Sequence, residues 1–144
     1  MLGKILVVCV GNICRSPTGE RLLMKYSPTS SITSAGISAV VGHAADIKAE
    51  KIAKENSLSL NGHVAKQLTA EMCTKNELIL VMEQEHFDAV CRIAPEARGK
   101  IMLYGHWLGK REIPDPYRKS EEIFRFVYQL LDSAALKWAQ ALKR

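Results

Sequence analysis

The chain has 144 residues, 47% hydrophobic and 24% charged, a length and balance that suit one water-soluble domain spanning 1–144. Its formal charge of +5 favours anionic substrates, but the basic residues are scattered and carry no recognition motif, which argues against nucleic acid. No apolar run approaches the roughly 18 residues of a membrane span, and Met1-Leu2-Gly3-Lys4 leads straight into a strand. The expectation is therefore a cytoplasmic protein that has no signal peptide and is not membrane-embedded.

The first predicted element is a strand over Lys4–Val8, a short continuous apolar run of the kind covered on both faces. Cys9-Val10-Gly11-Asn12-Ile13-Cys14-Arg15-Ser16-Pro17 follows directly, and a helix over Pro17–Lys25 comes next, with Ser16 as N-cap and Pro17 in the first helical position. Further strands are predicted over Ile32–Ala35, Leu78–Met82 and Lys100–Leu103. Between them lie helices over Ala44–Asn56, with Ile47, Ile52 and Ala53 on its apolar face, and over Glu85–Ile93. The last helix starts near Ser120 and carries Ile123, Val127, Leu130, Leu131, Ala134, Trp138 and Ala141 at helical spacing, with Lys143 and Arg144 suited to its end. Strands alternating with helices predict an α/β fold, a doubly wound parallel sheet with helices on both faces. Ligands bind such sheets beyond the carboxyl ends of the strands, where the loop after the first strand lies. Tyr104 to Arg118 breaks the alternation, and Ile113-Pro114-Asp115-Pro116-Tyr117 within it is stiffened by its two prolines.

The segment Cys9–Pro17 brings a thiol, a guanidinium and a row of backbone N–H groups toward one tetrahedral anion. Gly11 and Asn12 tolerate positive φ, and successive N–H groups turned inward make an anion nest at a helix N-terminus. Cys9 is the candidate nucleophile, because a helix N-terminus and an adjacent cation favour the thiolate. Arg15 is the candidate clamp for two phosphoryl oxygens. Ser16 caps the helix, donates to the Cys9 sulfur, or both. Asp115 is the candidate general acid, and then the base for the water that releases the phosphoryl group. Tyr117 would wall the pocket and stack on an aromatic substrate. The four cysteines have no Cys-x-x-Cys pair, so no structural zinc is expected, and no metal or cofactor enters this reading. Cys73 and Cys91 read as structural thiols on helix faces.

Cys9–Pro17 matches the Cys-x-Gly-Asn-x-Cys-Arg-Ser-Pro signature, and Asp115-Pro116-Tyr117 the distal acid motif, of the low-molecular-weight protein-tyrosine phosphatases, which the chain resembles nearly end to end. Ser34-Ala35-Gly36 and the segment from Gly62 to Thr69 look like that family's intermediate segments. The resemblance implies a four-stranded parallel sheet of order 2-1-3-4 and metal-independent hydrolysis of phosphotyrosine through a cysteinyl-phosphate, with inorganic phosphate as product. It implies a phosphate-binding loop of Val10, Gly11, Asn12, Ile13, Cys14 and Ser16 around the catalytic Cys9, Arg15 and Asp115. Asn12 would hold the loop's shape with a hydrogen bond from His63, and Ile13, Val40 and Tyr117 would line the substrate pocket. Lys66 stands where the family often has arginine. Cys14 would be the redox partner of Cys9, forming a reversible disulfide that protects the nucleophile; the alternative is a buried thiol packed under the loop. The chain is most similar to the bacterial branch linked to capsule and exopolysaccharide production, which implies a tyrosine autokinase with a tyrosine-rich tail as the phosphotyrosine protein it meets.

Two other functions fit parts of the pattern. A thiol-dependent arsenate reductase shares the fold and the cysteine loop but needs a relay of further cysteines. A non-catalytic phosphotyrosine-binding or redox-sensing module would keep Arg15 and the nest without needing Asp115.

Overall fold

The computed structural model describes residues 3–143. Met1, Leu2 and Arg144, invoked above at the two ends of the chain, lie outside the described residues. The strands are β1 (Lys4–Cys9), β2 (Ser31–Gly36), β3 (Leu78–Val81) and β4 (Ile101–Leu103), and they form one sheet in the order β2-β1-β3-β4. Every pairing is parallel. The expected order and direction are therefore the observed ones, with small shifts of strand ends. Leaving β1, the chain goes to one side of it for β2 and to the other for β3, so the topological switch falls at the carboxyl end of β1.

The helices are α1 (Arg15–Tyr26), α2 (Ile47–Glu55), α3 (Ala70–Lys75), α4 (Gln84–Ile93) and α5 (Glu121–Leu142), with a 3-10 turn at Pro95–Lys100. Side-chain period two splits the strand residues between two cores. Ile5, Val7, Leu78 and Leu80 pack with α1, α2 and α5, while Leu6, Val8, Ile79 and Val81 pack with α3, α4 and the 3-10 turn. Both faces are covered, and so the central strands read as unbroken apolar runs.

Several helix expectations need correction. The first helix begins at Arg15, not Pro17, with Cys14 in the N-cap position and no capping side chain there. Ser16 is thus inside the helix and is not its cap. The second helix is shorter than Ala44–Asn56, because the Asp46 carboxylate caps it by accepting from the N–H groups of Lys48 (2.9 Å) and Ala49 (3.4 Å). Ile47, placed above on the apolar face, is instead 85% exposed in the first turn. On α5, capped by Ser120, the buried stripe runs through Phe124, Val127, Tyr128, Leu131, Ala134, Ala135 and Trp138. Val127, Leu131, Ala134 and Trp138 are on the face expected of them, while Ile123 lies half exposed on its flank, because Phe124, one position along, is the first-turn residue that turns to the core. The six-residue α3 was not anticipated, being too short to display an apolar period.

Candidate active site

β1 delivers Cys9 to the carboxyl edge of the sheet, and the chain then turns through Val10–Cys14 into α1. Within that turn only Asn12 takes a left-handed backbone, at φ 60°. Gly11, expected to share that role, does not adopt positive φ; it lines the cleft, where a Cβ would sit 3.5 Å from Val40 and 3.6 Å from Ile13. Every carbonyl from Cys9 to Cys14 is taken by a group outside the turn. Cys9 O accepts from Ile37 N–H (2.9 Å), Val10 O from Ser38 N–H (3.0 Å), Gly11 O from Val40 N–H (3.0 Å) and Ile13 O from Asp46 N–H (2.8 Å). Asn12 O accepts from His63 Nε2 (2.6 Å) and Cys14 O from the Thr18 hydroxyl (2.9 Å). With the carbonyls fastened outside the turn, the N–H groups of Val10–Cys14 donate to no protein acceptor among the described residues and are left for an anion. The α1 N-terminus adds its dipole on the same side.

Asn12 is fully buried and serves as the hub beneath the turn. Its Nδ2 donates to Ser16 Oγ (2.8 Å) and Ser34 Oγ (3.1 Å), and its Oδ1 accepts from Lys66 N–H (2.9 Å). Ser16 Oγ lies 2.9 Å from Cys9 Sγ. Because Asn12 occupies a lone pair of that hydroxyl, the hydroxyl proton is free to point at the sulfur. Gly36 lets β2 approach closely: a Cβ there would fall 2.5 Å from Val10 O and 3.0 Å from Asn12 N. Lys66 contributes its backbone, while its exposed side chain takes no part, so the lysine-for-arginine departure lies away from the turn.

Arg15 is 2% exposed, and a cation buried so deeply requires partners. Its Nη1 donates to the Glu83 carboxylate and to the Ile113 carbonyl (2.8 Å), and its Nη2 lies 3.8 Å from Asp115 Oδ2. The long segment from Tyr104 is fastened step by step. A Gly105–Arg111 bridge closes its first turn, in which a Cβ on Gly105 would lie 2.0 Å from Arg111 O. Ile113, fully buried, donates its N–H to Met82 O (2.9 Å). Asp115 Oδ1 accepts from Tyr117 N–H (3.0 Å), Lys119 N–H binds Pro116 O (2.8 Å), and Lys48 Nζ of α2 holds Lys119 O (2.7 Å). Asp115 therefore stands on a fixed arm with its other oxygen toward Arg15.

These groups enclose a cleft of about 190 Å³ lined by Cys9, Val10, Gly11, Ile13, Cys14, Arg15, Ser38, Val40, Asp115 and Tyr117. Asn12, Ser16 and His63 stand behind its floor as supports. All the residues singled out for the site thus come together. Cys14 is buried, and burial, followed by the nearby Asp46 carboxylate, raises its thiol well above the usual range, so it stays protonated beside Cys9. The Arg15 anchors Glu83 and Ile113, together with Ser38, were missed. Glu83 follows β3 at the switch edge, and the rule that binds ligands at strand carboxyl ends would have flagged it.

Among the described residues, one cluster could offer a metal three ligand atoms within 4.8 Å of one another: Glu83, Glu85 and His86. The residues do not suit an ion as they stand. Glu83 is committed to Arg15, and His86 Nδ1 accepts from Glu83 N–H (3.2 Å), which places the ring proton on Nε2.

Comparison with known proteins gives a consistent likeness. The family model described as low molecular weight phosphotyrosine protein phosphatase matches residues 4–144. The chain is 57% identical over 144 residues to a probable low molecular weight protein-tyrosine-phosphatase, AmsI, of Erwinia amylovora, covering 100% of both chains. It is 56% identical over 142 residues to the low molecular weight protein-tyrosine-phosphatase Wzb of Escherichia coli K12, covering 99% of this chain and 97% of that one. Among solved structures, Vibrio vulnificus Wzb in complex with benzylphosphonate superposes with a TM-score of 0.96 at 52% identity, covering 98% of this chain and 99% of the other.

Proposed function

This chain is a protein-tyrosine phosphatase of the low molecular weight family, and on that footing we propose that it hydrolyses phosphotyrosine through a phosphorylated Cys9. The observation that carries this reading is the row of N–H groups in Val10–Cys14 that donate to no protein acceptor among the described residues, in a cleft lined also by Cys9, Arg15 and Asp115. The N–H groups and the Arg15 fork hold the three non-bridging oxygens as their charge redistributes. Cys9 thiolate attacks phosphorus in line, the P–O bond to the phenol breaks, and the departing oxygen takes the Asp115 proton. Asp115, now a carboxylate, removes a proton from water as that water attacks the phosphocysteine. The S–P bond breaks, inorganic phosphate leaves and the thiolate is restored. Ser16, by donating to sulfur, stabilises the thiolate both as nucleophile and as leaving group. Ile13, Val40 and Tyr117 make the apolar walls for the tyrosine ring. The benzylphosphonate bound by Vibrio vulnificus Wzb, an aromatic ring carrying a phosphonate through one methylene, has the shape of that substrate group.

We propose as its substrate a bacterial tyrosine autokinase with a tyrosine-rich tail, met in the cytoplasm, and the likeness to Wzb and AmsI supports that reading. A nucleophilic thiol needs a reducing compartment, and all four cysteines are free. Under peroxide, Cys9 oxidises to the sulfenic acid with loss of water, and the Cys14 thiol condenses with it, releasing a second water and forming the reversible disulfide. An arsenate reductase relay is disfavoured because Cys73 and Cys91 pack in the core on the other face of the sheet from Cys9. A domain that only bound phosphotyrosine would have no use for Asp115 on its fastened arm. The decisive experiment is turnover of a phosphotyrosine peptide from an autokinase tail with chelator present. Wild type should release phosphate, Cys9→Ser should not, and rapid quenching should trap phosphorus on Cys9. Hydrolysis with no such adduct would refute the scheme.

A further inference from the structure

His86 is a buried titratable group beside the site that the chemistry above leaves without a task. Arg15 is held by two acceptors of different character. The Ile113 carbonyl cannot move, since its residue is fully buried and its own N–H is bonded to Met82 O. Glu83 is a jointed arm, its side chain 26% exposed, and a carboxylate that can swing cannot by itself fix a guanidinium. His86, at the third position of α4, is buried against it. Its Nδ1 accepts from Glu83 N–H, so in the neutral ring the proton sits on Nε2. That Nε2 is buried, has no partner among the described residues, and stands 3.6 Å from the same Glu83 oxygen that meets Arg15. A buried donor just short of an acceptor is an unspent hydrogen bond.

We propose that His86 is a positioning residue for the Arg15 clamp, its Nε2–H closing onto the Glu83 carboxylate when Arg15 turns its fork toward a phosphoryl group. The movement required is small, from 3.6 Å to about 3 Å. A phosphoryl dianion in the cleft draws on the positive charge that Glu83 otherwise neutralises. A second donor on Glu83 offsets that loss and keeps the carboxylate from following Arg15 toward the anion. The donor must be neutral, because an imidazolium would compete with Arg15 for Glu83. Burial first, and then the Arg15 charge, push His86 below the usual histidine range, against the opposing pull of Glu83, Glu85 and Asp115. Of these carboxylates, Glu83 is the one whose distance to the ring is shortest, at 3.6 Å from Nε2.

The inference rests on Arg15 being the phosphate clamp, and its test can be separated from that reading. The amide of asparagine can replace His86 Nδ1 as acceptor but does not reach Glu83, whereas glutamine places a donor near the Nε2 position. His86→Asn should therefore lower kcat/KM for p-nitrophenyl phosphate, and weaken inhibition by inorganic phosphate, by about tenfold each, the size of one hydrogen bond to a charged group. His86→Gln should recover most of that loss. In a Glu83→Gln background the two His86 variants should become equivalent. Nitrogen NMR of the wild-type protein should find His86 neutral and protonated on Nε2. The proposal is overturned by an Nδ1-protonated ring, by His86→Asn within twofold of wild type, by His86→Gln no better than His86→Asn, or by a loss that persists undiminished in Glu83→Gln. Should His86→Asn fail to fold, the ring tautomer and the glutamine variant decide. If the clamp reading itself were wrong, Arg15→Lys would leave phosphate inhibition intact, an outcome independent of all these.

Discussion

Removing the Asn12 side chain tests how the phosphate turn is held. Asn12→Ala deletes two donated bonds, to Ser16 and Ser34, and the acceptor for Lys66 N–H, all at a fully buried site. Each neutral hydrogen bond is worth about 1 kcal/mol, and the orphaned groups left behind raise the loss further. Alanine must also adopt φ 60°, which costs about 1–2 kcal/mol more. A destabilisation of about 4–5 kcal/mol follows, or a fall in Tm of about 15 °C for a chain of this size. Asn12→Gly loses the same bonds without the backbone strain, so it should be the more stable of the two by about 1 kcal/mol. Circular dichroism melts of the three proteins give the stabilities, and kcat/KM for an aryl phosphate gives the consequence for the site. Both variants should turn over slowly even when folded, because Ser16 loses the partner that orients its hydroxyl toward Cys9. If both melt within about 4 °C of wild type, the hydrogen-bond web is not what holds the turn. If glycine is no better than alanine, the left-handed backbone at position 12 carries no strain and that part of the reasoning fails.

Asp115→Asn should cut turnover of phenyl phosphates by about 10²–10⁴ while sparing inhibition by inorganic phosphate, and steady-state kinetics giving equal kcat would remove Asp115 from the mechanism. Cys14→Ser should fold and turn over but, after peroxide and then reductant, recover far less activity than wild type; equal recovery would end the protective disulfide. His86 makes stability depend on pH with a definite sign. Its folded-state pKa lies below its unfolded value of about 6.5, so on acidification the unfolded chain binds the proton first. Stability should be level above about pH 6.5, decline as the pH falls from there toward the lowered folded-state pKa, and then level off. Urea midpoints across that range should lack this component in His86→Gln, and identical profiles would mean that His86 titrates in the fold as it does in the unfolded chain.

What could be read from the chain alone was whatever is local. Cys9 to Pro17 contains its own strand end, its own turn residues and the start of its own helix, and the Pro114–Pro116 bracket stiffens Asp115 within a few residues. Ser16 was misplaced for an equally local reason. Ser-Pro before a helix is the pattern of a cap and a first turn, but the tight turn lets the chain become helical two residues earlier, which places the hydroxyl beside the sulfur. The remaining supports are scattered because a parallel sheet gathers distant segments at one edge. Each strand's carboxyl end gives one part of the site: Cys9 from β1, Ser34 and Gly36 from β2, Glu83 just after β3, and the arm of Asp115 after β4. His63 and Glu83 carry no pattern of their own, since a lone histidine or a glutamate before a helix is common on any surface. Family likeness could point to His63, but Glu83 becomes visible only when β3 is known to lie beside β1. Charge then makes it necessary: a fully buried guanidinium beyond the end of β1 demands an anion, and β3 is the neighbour on the side to which the chain crosses. The carboxylate that a charge argument requires and the strand order that places it are one constraint, which no window of consecutive residues contains.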